Sequence, residues 1–136
     1  MAELCICGSG KKFESCCARF LTGGEQAKTP EQLMRSRYSA YALGDHGDYL
    51  LRTWFPATAG DLTATALSRR SCDWVKLEVL SKSQHGDSGQ VEFKAWYTGE
   101  QGGLDVLHEK SVFTRVAGRW FYIGGEIEGA APVASS

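Results

Sequence analysis

Four of the five cysteines of this 136-residue chain lie within its first seventeen residues. A segment of that length cannot bury enough apolar surface to hold a fold by itself, so a covalent or metal cross-link must order it. Residues two apart in an extended segment point to the same side, so the sulfurs of Cys5 and Cys7 can reach one point. A helix end can bring Cys16 and Cys17 to the same point. The cluster therefore predicts a structural site with four thiolates around one Zn²⁺ ion.

The residues between the two cysteine pairs fit this interpretation. Gly8 and Gly10 allow the chain to reverse, because glycine adopts a positive φ without a Cβ penalty. Four thiolates around Zn²⁺ leave a net negative charge, and Lys11, Lys12 and Arg19 are placed to offset it and to lower the pKa values of the thiols. The segment thus contains both the ligands and the positive charge that a thiolate site needs.

Disulfide bonds are the main alternative for these cysteines, and inert or redox-active thiols are a third. Disulfides need an oxidising compartment, yet the chain starts without a basic and apolar secretory signal. A bridge between adjacent Cys16 and Cys17 would be strained, and Cys72 would remain unpaired. Closely spaced reduced thiols favour metal binding, and we expect Cys72 to be a small core residue.

Composition argues against some classes of function. The formal net charge is −1 and 43% of the residues are hydrophobic, which gives no reason to expect nucleic acid as the main target. No apolar run approaches the ~20 residues of a membrane-spanning helix. We therefore expect a cytoplasmic protein without membrane contact, with one globular core beside the cysteine module.

A helical segment follows the module. Residues 24–29 are polar and contain glycine, as expected of a linker. Thr29 starts a capping box with proline at the first helical position, which predicts a helix over residues 30–43 that ends at Gly44. A second short helix is expected after a cap at Asp45, and a third over residues 61–70.

The hydrophobic periodicity then changes to two, which indicates half-buried strands joined by glycine-rich turns. Helices first and hairpin-joined strands afterwards predict an α+β fold, with a curved antiparallel sheet wrapped over the helices. The predicted organisation is a zinc module over residues 1–23, a linker over 24–29, a domain over 30–128 and a flexible tail over 129–136.

Two parts of the chain resemble known families. The segment from Cys5-Ile6-Cys7 to Cys16-Cys17 resembles the SEC-C motif, the zinc module at the carboxyl end of the SecA translocation ATPase. Further segments resemble the YchJ family of bacterial proteins, and this resemblance spans nearly the whole chain. It implies a nuclear transport factor 2-like cone of helices packed in a curved antiparallel sheet for residues 30–128. The segments that carry it are 33–38, 53–54, 74, 109–113 and 118–122.

The chain departs from the family pattern in two places. Some relatives carry a second SEC-C motif at the carboxyl end, whereas no cysteine follows Cys72 in this sequence up to Ser136. A function that needs two zinc modules is therefore not expected. The pattern also favours histidine after Thr53 and Trp54, where this chain has Phe55, so a catalytic role of that histidine is not expected either.

The SEC-C resemblance makes the four cysteines of the first seventeen residues the metal ligands, and it implies a docking role. In SecA the module binds the chaperone SecB and the ribosome through basic residues beside the zinc. Lys11 and Lys12 occupy that place, with Arg19 near them, so one interpretation is contact with an acidic protein surface. The other is that these residues only balance the charge of the thiolates.

The cone resemblance implies space for a small molecule, because some related folds catalyse isomerisation or dehydration with an internal carboxylate or histidine. Glu109 is predicted to face the helices from a strand with apolar ends. It is either a general base or half of a buried ion pair with Arg37 or Arg35, and the pair is favoured because buried carboxylates are usually partnered. The candidate pocket residues are Arg37, Tyr38, Tyr41, Trp54, Glu109 and Ser111.

The opposite face of the sheet is expected to be partly aromatic and basic. Such a face can stack on single-stranded RNA, but it more often forms a homodimer interface or the seat of an appended module. The residues assigned to it are Trp74, Leu80, Trp96 and Trp120 with Lys76 and Lys94.

These features predict a zinc-binding adaptor whose SEC-C motif docks to a SecB-like chaperone or to the ribosome. Contact with nucleic acid is expected only through the ribosome. The alternative is a small-molecule-binding protein or an enzyme of isomerase, dehydratase or hydrolase type, with its site in the cone. The sequence assigns no catalytic residue, and a binding protein is therefore favoured over an enzyme.

Overall fold

The computed structural model describes residues 4–68, 73–98 and 102–127. Helices come first and four long strands follow, which confirms the predicted α+β fold. Cys72, the end of the predicted third helix and the tail over 129–136 lie outside the described residues. In chain order the elements are a 3₁₀ turn (Phe13–Ser15), α1 (Ala18–Leu21), α2 (Pro30–Leu43), α3 (Gly47–Arg52), α4 (Pro56–Ala59), α5 (Ala64–Leu67), β1 (Asp73–His85), β2 (Ser88–Thr98), β3 (Leu104–Val116) and β4 (Arg119–Ile127).

Helix α2 begins and ends where the sequence predicts. The hydroxyl of Thr29 accepts a hydrogen bond from the backbone N–H of Gln32 at 3.1 Å, and Pro30 occupies the first turn. Gly44 ends the helix with a φ of 77°. Nine of the 14 helical residues are buried, so α2 is the central helix of the domain.

The short helices differ from the prediction at their starts. Asp45 has a φ of 62° and does not cap α3, which begins at Gly47. A Cβ atom on Gly47 would lie 1.8 Å from the carbonyl oxygen of Ala64, so glycine permits the close contact between α3 and α5. The third predicted helix is the single turn α5, capped by Thr63. Among the described residues, no helix is long and apolar enough to cross a membrane.

The four strands form one antiparallel meander in the order β1-β2-β3-β4. Strands β3 and β4 are joined by Ala117 and Gly118, which have φ values of 53° and 80°. Two successive positive φ values are typical of the tight hairpin turns that match the twist of a sheet. The sheet curves around α2, and the concave face of the sheet and α2 enclose the core.

A β-bulge in β1 corrects the predicted sheet faces. It lies between Trp74 and Lys76, so the alternation of faces shifts at Val75. Val75 is 52% exposed, while the ring of Trp74 packs on the inner face with its centroid 6.0 Å from that of Tyr38. The assignment of Trp74 to the outer face was wrong because a bulge inserts one residue into the period of two.

The assignment of Trp120 to the outer face was also wrong. Its side chain is 4% exposed, and its indole N–H donates to the backbone oxygen of Lys28 at 3.3 Å. An apolar period of two does not say which face of the last strand is covered. On the outer face, Leu80 is 42% exposed and the ammonium of Lys76 lies 4.9 Å from the ring centroid of Trp96.

The cysteine module packs directly against the domain that follows it. Its buried residues belong to the same hydrophobic core as α2 and the sheet. Arg35 of α2 donates from Nη1 to the backbone oxygen of Cys7 at 2.7 Å, and Arg52 of α3 donates to the backbone oxygen of Phe20 at 3.3 Å. The module is therefore part of one packed unit, although a polar linker joins it to α2.

Candidate metal centre

A narrow loop presents the first two cysteines. The backbone N–H of Cys5 donates to the oxygen of Lys11 at 2.8 Å, and the N–H of Gly8 donates to the oxygen of Cys5 at 3.2 Å. Gly8 and Gly10 have φ values of 79° and 84°, as the predicted chain reversal requires. The loop thereby directs Cys5 and Cys7 to one side.

The second pair of cysteines lies between two helical turns. Cys16 ends the 3₁₀ turn and Cys17 precedes α1 as its N-cap residue. The backbone N–H of Cys16 donates to the oxygen of Phe13 at 3.0 Å, which fixes the direction of this segment. The predicted placement of Cys16 and Cys17 at a helix end is therefore observed.

The four sulfur atoms form a compact buried cluster. They all lie within 4.8 Å of one another, and the side chains are at most 7% exposed. The sulfurs of Cys7 and Cys16 are 3.6 Å apart, and those of Cys16 and Cys17 are 4.0 Å apart. A tetrahedral ion with metal–sulfur bonds of about 2.3 Å needs sulfurs about 3.8 Å apart. The cluster fits one such ion, and the thiols are free of disulfide bonds.

Two serine hydroxyls contact the sulfurs. The hydroxyl of Ser39 on α2 lies 3.2 Å from the sulfur of Cys17 and 3.8 Å from that of Cys5. The hydroxyl of Ser9 lies 3.1 Å from the sulfur of Cys16. Hydroxyl donors of this kind orient metal-bound thiolates and stabilise their charge. Sequence reasoning missed Ser39, because only the packing of α2 against the module brings it to the cysteines.

The thiols do not ionise independently. Hydrogen bonding from Cys17, and then from Cys7, lowers the pKa of Cys5. The pKa of Cys17 is raised, first by its hydrogen bonds to Cys5 and Cys7 and then by burial. The cluster thus stabilises the thiolate of Cys5 and makes ionisation of Cys17 less favourable. Full ionisation of four buried sulfurs needs a cation at their centre.

The basic residues near the cluster occupy three different environments. Lys11 and Lys12 are exposed, and neither forms an ion pair among the described residues. Arg19 donates from Nε to the backbone oxygen of Cys16 at 3.1 Å and lies 3.8 Å from Glu25. Sequence reasoning missed Arg35 as a residue of the site, although its bond to Cys7 is the shortest of these contacts.

A second candidate site lies between α2 and the inner face of the sheet. Five of the predicted pocket residues line one cavity of about 260 Å³ there: Arg37, Tyr38, Tyr41, Glu109 and Ser111. Trp54 is not part of this lining, but its ring centroid lies 4.9 Å from the guanidinium carbon of Arg37. Tyr122, which sequence reasoning missed, also lines the cavity.

Glu109 faces the helices as predicted, but the expected ion pair does not form within the described part of the chain. Its Oε2 atom accepts hydrogen bonds from Ser111 at 2.7 Å and from Tyr122 at 3.2 Å. Arg37 instead donates to neutral oxygens, and Arg35 pairs with Glu31. The charges remain apart because Arg35 points to the metal module.

Burial keeps the phenols of the cavity protonated. It raises the pKa of Tyr38 to about 12. It also raises the pKa of Tyr122, to which the charge of Glu109 contributes. The pKa of Tyr41 is raised by burial against the opposing effect of Arg37. These hydroxyls are neutral donors at physiological pH, so none of them balances a positive charge.

Comparison with known families agrees with both parts of this architecture. The SEC-C motif matches residues 1–19, and the family described as YchJ, middle NTF2-like domain, matches residues 29–125. The fold and the cysteine cluster therefore define an NTF2-like protein with an N-terminal SEC-C motif. Because the second match covers most of its length, the chain belongs to the YchJ family.

Relatives of similar length carry the family designation UPF0225. The UPF0225 protein of Sodalis glossinidius is 40% identical over 130 residues, which cover 92% of this chain and 84% of that protein. The UPF0225 protein of Deinococcus radiodurans is 42% identical over 119 residues, which cover 88% of this chain and 85% of that protein.

Solved structures share the fold. The solution structure of a SEC-C motif-containing protein from Rhodopseudomonas palustris has a TM-score of 0.82 and 38% identity, and the match covers 90% of this chain and 96% of that one. A putative calcium/calmodulin-dependent protein kinase II association domain from Xanthomonas campestris has a TM-score of 0.50 at 13% identity, and covers 76% of this chain and 92% of that chain. At that identity the second likeness concerns the fold alone.

Proposed function

We propose that the four clustered cysteines bind one structural zinc ion. A buried set of four sulfurs at tetrahedral separations suits Zn²⁺, and such a site has no open position for a substrate. The ion would hold a segment whose helical elements are single turns. Thiol ligands of this kind stay reduced in the cytoplasm, which we propose as the location of the protein.

We further propose that this zinc module is an adaptor for an acidic protein segment. The observation that carries the proposal is a groove of about 500 Å³ between the module and α2. Four basic side chains and one acidic side chain belong to its lining, namely Lys11, Arg19, Arg35, Lys82 and Glu31. This excess of positive charge complements an acidic partner and would increase the rate of encounter.

The edge of the module supports the same role. A β-bridge joins Leu4 and Lys12, so the backbone holds both residues in fixed positions. Leu4 is 66% exposed, and the neighbouring Lys11 and Lys12 are exposed as well. An apolar side chain beside two cations that have no ion-pair partner among the described residues suits a protein surface that is acidic and partly apolar. A SecB-like chaperone and the ribosome are the partners that we propose.

The test compares two charge variants of the metal-loaded protein. One variant is Lys11→Ala with Lys12→Ala beside the metal, and the control is Lys76→Ala with Lys94→Ala on β1 and β2. Both remove the same charge, and the metal content of each is measured first. Since an exposed ion pair contributes about 0.2–1 kcal/mol, loss of two is expected to weaken binding by up to about thirtyfold.

Binding to purified ribosomes and to a SecB-type chaperone is measured at two salt concentrations. The first variant should bind more weakly at low salt, and the difference should shrink at high salt. The control should bind like the unchanged protein. Equal binding of both variants would remove the support for the adaptor role without affecting the zinc assignment.

A further inference from the structure

The cavity between α2 and the sheet has an apolar body and two charged groups in its wall. At about 260 Å³ it is smaller than the ~300–1,000 Å³ of typical pockets for drug-sized ligands. The charged groups are Glu109 and Arg37. The apolar part of the lining consists of Met34, Trp74, Phe93, Ala95, Leu107 and Phe113.

The carboxylate of Glu109 is held in place by hydrogen bonds to only one of its two oxygens. Its Oε2 atom accepts hydrogen bonds from Ser111 and Tyr122, and it lies over Gly125, where a Cβ atom would be 2.3 Å from Oε2. Its Oε1 atom accepts no hydrogen bond from any described residue. A carboxylate that is oriented by two donors and retains a free oxygen is suited to bind a donor group of a ligand.

Arg37 is a buried cation without an anion. It is 5% exposed, and its Nη1 atom donates to the oxygens of Leu50 at 2.8 Å and Thr53 at 2.7 Å. No carboxylate of the described residues lies within ion-pair distance of it, and its other polar neighbour in the cavity wall is the neutral phenol of Tyr41. A guanidinium has five N–H donors. The contacts to Leu50, Thr53 and Tyr41 do not use all five, and a buried cation favours an acceptor with negative charge.

Tyr122 lies between the two charges. Its ring centroid is 4.6 Å from the guanidinium carbon of Arg37, and its hydroxyl donates to Glu109. The ring of Tyr122 therefore contacts the positive group, and its hydroxyl contacts the negative group. Because the phenol stays neutral, it fixes both groups without cancelling either charge.

We propose that the cone cavity binds a zwitterionic α-amino acid with an apolar side chain. The ammonium group donates to Glu109, the carboxylate accepts from Arg37, and the side chain occupies the apolar body of the cavity. The ligand thereby pairs both charges of the wall and leaves the net charge of the site unchanged. This site is separate from the metal cluster and does not depend on the adaptor role.

The first experiment changes the ligand and leaves the protein intact. Metal-loaded protein is titrated with L-leucine, L-methionine and L-phenylalanine, and binding is followed by calorimetry and by amide chemical shifts in β2 and β3. Leucinamide lacks the carboxylate and N-acetyl-leucine lacks the ammonium group. We expect each of these to bind at least tenfold more weakly than leucine, and glycine to bind weakly because it leaves the apolar body empty.

The second experiment changes one charge of the protein. Glu109→Gln keeps an oxygen for Ser111 and Tyr122 but removes the charge, and it should weaken leucine binding at least tenfold. The matched control is Glu92→Gln, since Glu92 is paired with His108 away from the cavity, and it should bind like the unchanged protein. If Glu109→Gln fails to fold, the ligand series on the intact protein decides.

Three results would overturn the proposal. Equal binding of leucine and leucinamide would show that Arg37 takes no carboxylate. Equal binding of leucine and N-acetyl-leucine would show that Glu109 takes no ammonium group, and the cavity would then belong to simple carboxylic acids. No binding of any apolar amino acid at millimolar concentration would exclude this class of ligand.

Discussion

The cysteine module and the cone domain are ordered by different means. The longest helix of the module has 4 residues, whereas the cone has a helix of 14 residues and strands of 9 to 13 residues. Strand pairing and apolar burial stabilise the cone. The module has few buried apolar side chains, chiefly Phe20 and Leu21, and four sulfurs at one point. This difference predicts that the module depends on a bound ion for its order, while the cone does not.

The cysteine module and the cone are nevertheless in contact with each other. The hydroxyl of Ser39, on the central helix of the cone, touches two of the sulfurs, and both regions share one hydrophobic core. We therefore expect loss of the proposed ion to uncover one side of the cone core but to leave the paired strands intact. How far the two regions unfold independently can be measured.

Metal removal should have the largest effect. Binding of structural zinc has an apparent free energy of about 10–16 kcal/mol in small zinc peptides, more than any single side chain contributes. We expect a chelator, or Cys17→Ser, to abolish amide protection over residues 5–21. Protection in β2 and β3 should persist, and the melting temperature should fall. Hydrogen exchange read by mass spectrometry measures both regions in one experiment.

Two results of this experiment would contradict the expectation. If the amides of the sheet lose protection together with those of the module, the two regions unfold as one unit. The cone would then depend on the ion as well. A chelator that leaves the protection of residues 5–21 unchanged would contradict the metal assignment.

A large core substitution should have the next largest effect. Phe113 is 1% exposed, and its ring packs against that of Tyr122 with the centroids 5.8 Å apart. Phe113→Ala should lower the free energy of unfolding by about 3–5 kcal/mol. Val116→Ala, at a site that is 49% exposed, should change it by less than about 0.5 kcal/mol. Urea denaturation in the presence of excess zinc measures both variants.

The metal content of the same samples tests whether the cysteine cluster depends on the core of the cone. Because the cysteine cluster forms from its own loop and helix end, folded Phe113→Ala should retain one ion per chain. A folded variant with less metal would show that the core of the cone supports the ligands.

Sequence patterns predicted those features that depend on residues close to one another in the chain. The helix α2 was predicted because its cap and its closing glycine lie beside it in the chain. The four cysteines were recognised because two short spacings bring them together. Strand β3 was assigned its correct inner face because apolar residues surround Glu109 at a period of two.

Features that depend on distant contacts were not predicted. The bulge beside Trp74 has no local sequence signal, and it moved that residue to the inner face. Arg35 was considered only as a partner of Glu109, since nothing in the sequence relates it to Cys7, 28 residues away. The predicted ion pair with Glu109 does not form for this reason. Helix α2 directs Arg35 to the module, and Arg37 donates to neutral oxygens.

Alkaline pH should weaken the cone. The pKa of Tyr38 is about 12 in the folded protein, above the value of about 10 for an unfolded tyrosine. A raised folded pKa gives stability that is complete below pH 10 and is lost as the pH rises to 12. Two pKa units correspond to about 3 kcal/mol. Urea midpoints between pH 8 and pH 12 should therefore decline less steeply for Tyr38→Phe than for the unchanged protein.

The same variant has an expected effect at neutral pH. The hydroxyl of Tyr38 is buried and has no hydrogen-bond partner, and its removal should raise stability by about 1 kcal/mol, because a buried unpaired hydroxyl is costly. A loss of stability at pH 7 would show that the hydroxyl has a favourable contact in solution.

A more local effect should arise at the contact between the two regions. Arg35 donates to the backbone oxygen of Cys7 at 2.7 Å and pairs with Glu31 at 2.9 Å. Arg35→Met keeps an apolar stem but removes the donor, and a hydrogen bond to a charged group contributes about 2 kcal/mol.

Arg19→Met is the control, because the hydrogen bond and the ion pair of Arg19 lie within the module and its linker. Arg35→Met should lower global stability and speed zinc release to a chelator, whereas Arg19→Met should affect zinc release alone. Equal effects of the two variants on global stability would mean that Arg35 does not couple the module to the cone.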